Sequence, residues 1–117
     1  MINAQRELNE LGLSPRLVGY WDLLTAIDIV ARDKTTLTAM TIEIYAPTAA
    51  ARSVEWGCVE ASIRKAIRTI WKRGNRERLE QIMHHRLPEP PTAGEFLGAF
   101  VFHLEGIEED YESMLPR

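Results

Sequence analysis

Apolar residues recur along this chain at intervals of three and four, and nowhere does strict alternation persist long enough for a half-buried strand. The clearest stretch is 54–75. There Val59, Ile63, Ala66, Ile67, Ile70 and Trp71 fall on one stripe of an α-helix, so all six, Trp71 included, are expected to face a core. Gly57, Cys58, Ala61, Arg64, Lys65, Arg68 and Lys72 occupy the opposite side. Gly74-Asn75 then predicts a left-handed helix stop.

The same reading extends in both directions. Residues 2–11 place Ile2, Leu8 and Leu11 among polar helix formers and stop at Gly12, which predicts a short amphipathic helix. After a turn at Ser14-Pro15, Tyr20, Leu23, Leu24, Ile27 and Val30 trace a core helix. Asp33 to Thr36 supply N-cap chemistry for a further helix, in which Leu37, Met40, Ile44 and Tyr45 share a face. Pro47 requires a kink or a restart, because it lacks an N–H and disfavours the α conformation at Ala46. A short helix then follows, and Ser53 is placed to cap the long one. Leu79, Ile82 and Met83 define another short helix, and Pro88 to Pro91 a stiff loop. Thr92 and Glu95 have capping-box spacing ahead of a last helix to about Glu105, carrying Phe96, Leu97, Phe100, Val101, Phe102 and Leu104. The expected fold is therefore all-α, one six-helix domain over 1–106 followed by an acidic segment at 107–117 with Glu108, Glu109, Asp110 and Glu112.

Length and composition narrow the function classes. A chain of 117 residues with 45% hydrophobic and 26% charged residues suits one soluble core without staples. No run reaches the length of a membrane span, and the start lacks an apolar signal core, so a cytoplasmic location is expected. Cys58 is the only cysteine, which leaves no intrachain disulfide. His84, His85 and His103 find no completing ligand spacing, so neither a metal nor another cofactor is expected. The nucleophile, phosphate-loop and paired-carboxylate patterns are missing, so the chain does not read as an enzyme.

Charge points elsewhere. Residues 64–78 hold Arg64, Lys65, Arg68, Lys72, Arg73, Arg76 and Arg78 against Glu77 alone, a local charge of +6 in a chain whose net charge is −3. Such a concentration is a solvated helix face or a nucleic-acid footprint. It lies on the second of two helices joined by a tight turn, the plan of a helix-turn-helix.

The blocks G-Y-W-D-L-L-T-A-I, I-Y-A-P-T-A-A-A-R, V-E-A-S-I-R-K-A-I-R-T-I-W-K-R-G-N and P-T-A-G-E-F together resemble the C-terminal effector domain of stage 0 sporulation protein A, a response regulator, from about residue 5 to 104. That resemblance implies a six-helix DNA-binding domain whose helix-turn-helix spans about 36–52 and 54–73, and which binds tandem sites as a dimer to control transcription. In the family a phosphorylatable receiver domain precedes it. None is recognisable here, so control by phosphorylation within the chain is not expected. Where the family reads S-R-V-E-R-A-I-R-H, this chain reads G-C-V-E-A-S-I-R-K, so two arginines expected at DNA become Cys58 and Ala61. The proline of the family's L-Y-P comes one residue later, at Pro47.

The expected activity is transcription regulation on double-stranded DNA. Arg64, Lys65, Arg68 and Lys72 would contact phosphates, and the helix front at Cys58, Glu60 and Ala61 would face base edges, with Glu60 able to accept from a cytosine amino group. The alternative is a degenerate helix-turn-helix that serves as a protein-interaction module, with a related regulator as partner. The last helix is the candidate homodimer contact, since it carries more apolar surface than one core stripe needs.

Overall fold

The computed structural model describes the backbone of residues 2–114 and the side chains of residues 3–107. Six α-helices follow one another: α1 (Ile2–Glu10), α2 (Val18–Arg32), α3 (Ala46–Arg52), α4 (Trp56–Arg73), α5 (Arg76–Met83) and α6 (Ala93–Met114). A 3-10 turn over Lys34–Ala39 and a π turn over Thr41–Tyr45 lead into α3. No strand occurs among the described residues, and the fold is all-α.

The core is assembled from the apolar stripes of all six helices. Leu8 and Leu11 of the first amphipathic segment, Tyr20, Leu23, Ile27 and Val30 of α2, and Val59, Ile63, Ala66, Ile67 and Ile70 of α4 are all buried. Ile2, expected among them, has its side chain outside the described residues. α2 and α4 form the central pair, and Gly19 lets them approach: a Cβ there would lie 2.4 Å from the Ser62 carbonyl oxygen and 2.8 Å from the Ala66 methyl. Phe96 stacks on Phe100, ring centroids 5.4 Å apart, and both are fully buried beneath the other helices.

Several local expectations hold. Asp33 caps the 3-10 turn by accepting from the Thr35 hydroxyl at 2.6 Å and the Thr35 N–H at 3.0 Å, and these hydrogen bonds lower its carboxyl below the ordinary range. At α6 the Thr92 hydroxyl accepts from the Glu95 N–H at 3.2 Å, and Glu95 accepts in return from the Thr92 hydroxyl at 2.8 Å and N–H at 3.4 Å. Pro47 is accommodated as a restart preceded by the π turn. Its ring would clash with the carbonyl one helical turn back, and the wider i→i+5 bond from the Ala46 N–H to the Thr41 carbonyl relaxes that stretch without breaking the helix.

Other expectations are corrected. Gly74 is not left-handed: φ is −90° and ψ −157°, and glycine is required because a Cβ would meet the Leu11 carbonyl oxygen at 2.3 Å. The end of α1 docks there, with the Asn75 N–H donating to Leu11 O at 2.9 Å and Gly12 bending away at φ 88°. Ser53 does not cap α4. It closes α3 in the left-handed region, φ 56° and ψ 44°, while Glu55 stands at the head of α4 without a side-chain cap bond. Trp71 is half-buried at the edge of the core, its indole N–H donating to Leu87 O at 3.1 Å.

α6 runs past Glu105 and through Gly106 to Met114. The side chains of Glu108, Glu109, Asp110 and Glu112 lie outside the described residues. Of the apolar residues nominated for a dimer contact, Phe96, Leu97, Phe100, Val101 and Leu104 are core, and Phe102 alone is exposed.

Candidate nucleic-acid interface

α3 and α4 are joined by Ser53, Val54 and Glu55. The left-handed residue at the start of this turn reverses the chain within one step. It lets the Val54 N–H reach back to the Ala49 carbonyl at 3.0 Å, so the end of α3 is satisfied where α4 departs. Ala49 is buried, and its small side chain permits α3 to lie close to α4. Thr48, also buried, satisfies its hydroxyl on Ile44 O at 2.7 Å.

A polar clamp fixes the angle between these helices. Arg52, the last residue of α3, donates through Nε and Nη2 to the two oxygens of Asp22 on α2, both at 2.8 Å, and Ser62 of α4 donates to the same carboxylate. Asp22 is almost wholly buried, so its charge is matched by three donors from two other helices. Three distant residues cannot be read as a unit from sequence. The only advance sign is an acid at position 22 flanked by Tyr20-Trp21 and Leu23-Leu24.

The structure sorts the seven cations of residues 64–78 by role. Arg64 pairs with Glu60 one turn earlier at 2.8 Å, so Glu60 is engaged along the helix and less free to accept from a base. The guanidinium of Arg76 stacks 3.8 Å from the centre of the Trp71 ring, and its Nε donates to Trp71 O at 3.1 Å. Arg78 turns into the fold, where it donates to Glu7 at 3.0 Å. Lys65, Arg68, Lys72 and Arg73 pair with no carboxylate among the described residues. They remain exposed along α4, where Ala61, Arg64, Lys65, Arg68, Thr69, Lys72 and Arg73 line one shallow groove.

Cys58 and Ala61, at the helix front, are also exposed, as is Gly57. All seven nominated residues thus lie on α4, with Glu60 half-buried at the border of the face. Beneath that border Tyr45 is nearly enclosed, and its phenol is pushed up by burial and by the Glu60 charge, partly offset by Arg64. Trp56, the first residue of α4, is also exposed, at 44%, and sequence reasoning does not place it at the interface. Its azimuth, three residues before Val59 and seven before Ile63, is that of the apolar stripe, but as the first residue of the helix it remains exposed.

The arrangement is a helix-turn-helix with a long second helix, a clamped crossing angle and a row of cations on its solvent face that pairs with no carboxylate among the described residues. The sequence matches the family described as "Sporulation initiation factor Spo0A C terminal" over residues 4–104, most of the chain. The chain belongs to that family of DNA-binding effector domains.

Proposed function

We propose that this domain is a transcription regulator of the sporulation effector type that seats α4 in the major groove of duplex DNA with an altered reading face. The carrying observation is the row Lys65, Arg68, Lys72 and Arg73, exposed and unpaired among the described residues on the helix that follows the turn. Phosphate contacts are assigned to Lys65, Arg68 and Lys72, with Arg64 joining them when it leaves Glu60. The front offers Cys58 and Ala61 in place of arginines, so the bidentate pair that selects guanine is missing.

Gel shift on random duplexes at two salt concentrations, with a selection step, tests this reading. Native protein is expected to bind in a salt-sensitive manner with modest sequence preference. Cys58→Arg with Ala61→Arg is expected to add guanine preference, about 1–3 kcal/mol per bidentate contact. If native protein binds no duplex at low salt and the arginine variant gains none, the domain is instead the protein-interaction module, with a related regulator as its partner.

A further inference from the structure

Trp56 remains unexplained once the core and the basic row have been assigned. It opens α4 and is 44% exposed. Its indole N–H has no hydrogen-bond partner among the described residues, whereas Trp21 donates to Pro15 O at 2.8 Å and Trp71 to Leu87 O at 3.1 Å. Its surroundings are low. A Cβ added at Gly57 would meet nothing within 4 Å, and Cys58 and Ala61 are small and exposed. Trp56 is therefore the one large apolar side chain exposed on the first turns of this helix, whose N-terminal residues contact base edges when such a helix lies in a major groove.

The edges of the four bases differ in what they offer such a group. Thymine presents an O4 acceptor beside an apolar C5 methyl, cytosine a donor, adenine a donor with an acceptor, and guanine two acceptors without a methyl. Indole is a donor with a broad apolar face and no acceptor. It matches thymine on both counts and leaves the cytosine and adenine amino groups without an acceptor. The small neighbours also matter, because Gly57, Cys58 and Ala61 let the helix front settle close to the bases where a shorter reach suffices.

We infer that Trp56 is a specificity-determining residue that reads thymine in the major groove through its C5 methyl. This rests on the DNA-binding reading above and deepens it: loss of the front arginines is accompanied by an aromatic reader, so specificity is redirected toward thymine.

The test uses the full chain and a duplex selected from a random pool. Each thymine is replaced in turn by deoxyuridine, which removes only the methyl group, and affinity is measured for native protein, Trp56→Ala and Trp56→Phe. Native protein should lose about fourfold at one or two thymines, the loss expected for one buried methyl group. Trp56→Ala should be indifferent to the same replacements, and Trp56→Phe should keep part of the discrimination, with circular dichroism verifying that both variants are folded. Salt-sensitive binding by native protein with no methyl dependence at any thymine overturns the inference and leaves the DNA reading standing. An equal methyl effect in Trp56→Ala overturns it as well, by assigning the contact to another group. Absence of any duplex binding at low salt overturns both.

Discussion

Ser53 holds an L side chain at φ 56°, a region that costs a non-glycine residue about 1–2 kcal/mol. The turn between α3 and α4 needs that conformation, in which the Ser53 backbone N–H closes α3 on the Ala49 and Ala50 carbonyls. Ser53→Gly should therefore stabilise the domain by about 0.5–1 kcal/mol, less the extra entropy of glycine in the unfolded chain. A rise in the urea midpoint at unchanged slope would show it. Trp71 has the opposite lesson. Full enclosure would make Trp71→Ala cost about 3–5 kcal/mol. The ring is only half-buried, with Arg76 over one face, so the expected loss is about 2–3 kcal/mol in the same titration. A loss at the top of the fully enclosed range would mean that the edge position is wrong.

Between elements, two buried carboxylates tie the helices together. Asp22 joins α2 to α3 and α4 through Arg52 and Ser62. Removing one partner of such a pair strands the other, at about 3–5 kcal/mol for a fully buried pair, and less here because a third of the Arg52 side chain is exposed. Asp22→Ala is expected to cost about 2–3 kcal/mol and to weaken DNA binding beyond what unfolding explains, since the α3–α4 angle loses its brace. Affinity measured well below the melting temperature separates the two effects.

Glu7 joins α1 to α5 and α6 through Arg78 and His103. Burial alone would raise its carboxyl, but hydrogen bonds from His103, Glu10 and Arg78 and the charge of His103 outweigh it and hold it below the ordinary carboxylate range. A carboxylate depressed on folding contributes stability above its unfolded pKa and loses it as pH falls through the folded value. Glu10 is shifted the other way, by its hydrogen bond to Glu7 and the Glu7 charge, and this partly counters the loss. Native protein should thus lose melting temperature from pH 5 downward more steeply than Glu7→Gln, as read by thermal denaturation at a series of pH values.

At the scale of the whole molecule, positive charge on one face of α4 coexists with a net charge of −3. Binding should depend on local counterion release, so the salt dependence counts phosphate contacts. Arg68→Ala with Lys72→Ala should make the log–log salt slope shallower by about 2, and should weaken selected and random duplexes alike. A slope unchanged by the pair would place the phosphates elsewhere. Pairing of two copies has less support at this scale. Phe102 is the single exposed residue of the six expected at a dimer contact, and a stable interface needs about 800 Å² from each partner.

What the sequence determined by itself was the set of helices and their inward stripes, because a 3.6-residue period and a capping box are local properties that each segment carries alone. The buried residues of α2, α4 and α5 and the Thr92–Glu95 cap could be read that way, as could the concentration of charge on α4 and the family to which its I-R-K-A-I-R-T-I-W-K-R-G-N block points. The Arg64–Glu60 pair, one turn apart on α4, is another such local property. Tertiary structure alone decided that Arg78, which looks like its neighbours in the chain, turns inward to Glu7, 71 residues away. It also decided why Gly74 is glycine, since the reason is a carbonyl oxygen from α1 and not the dihedral angle of a helix stop. The same holds for the clamp at Asp22, whose partners are 30 and 40 residues away: burial makes the pairing, and burial exists only after the chain has folded.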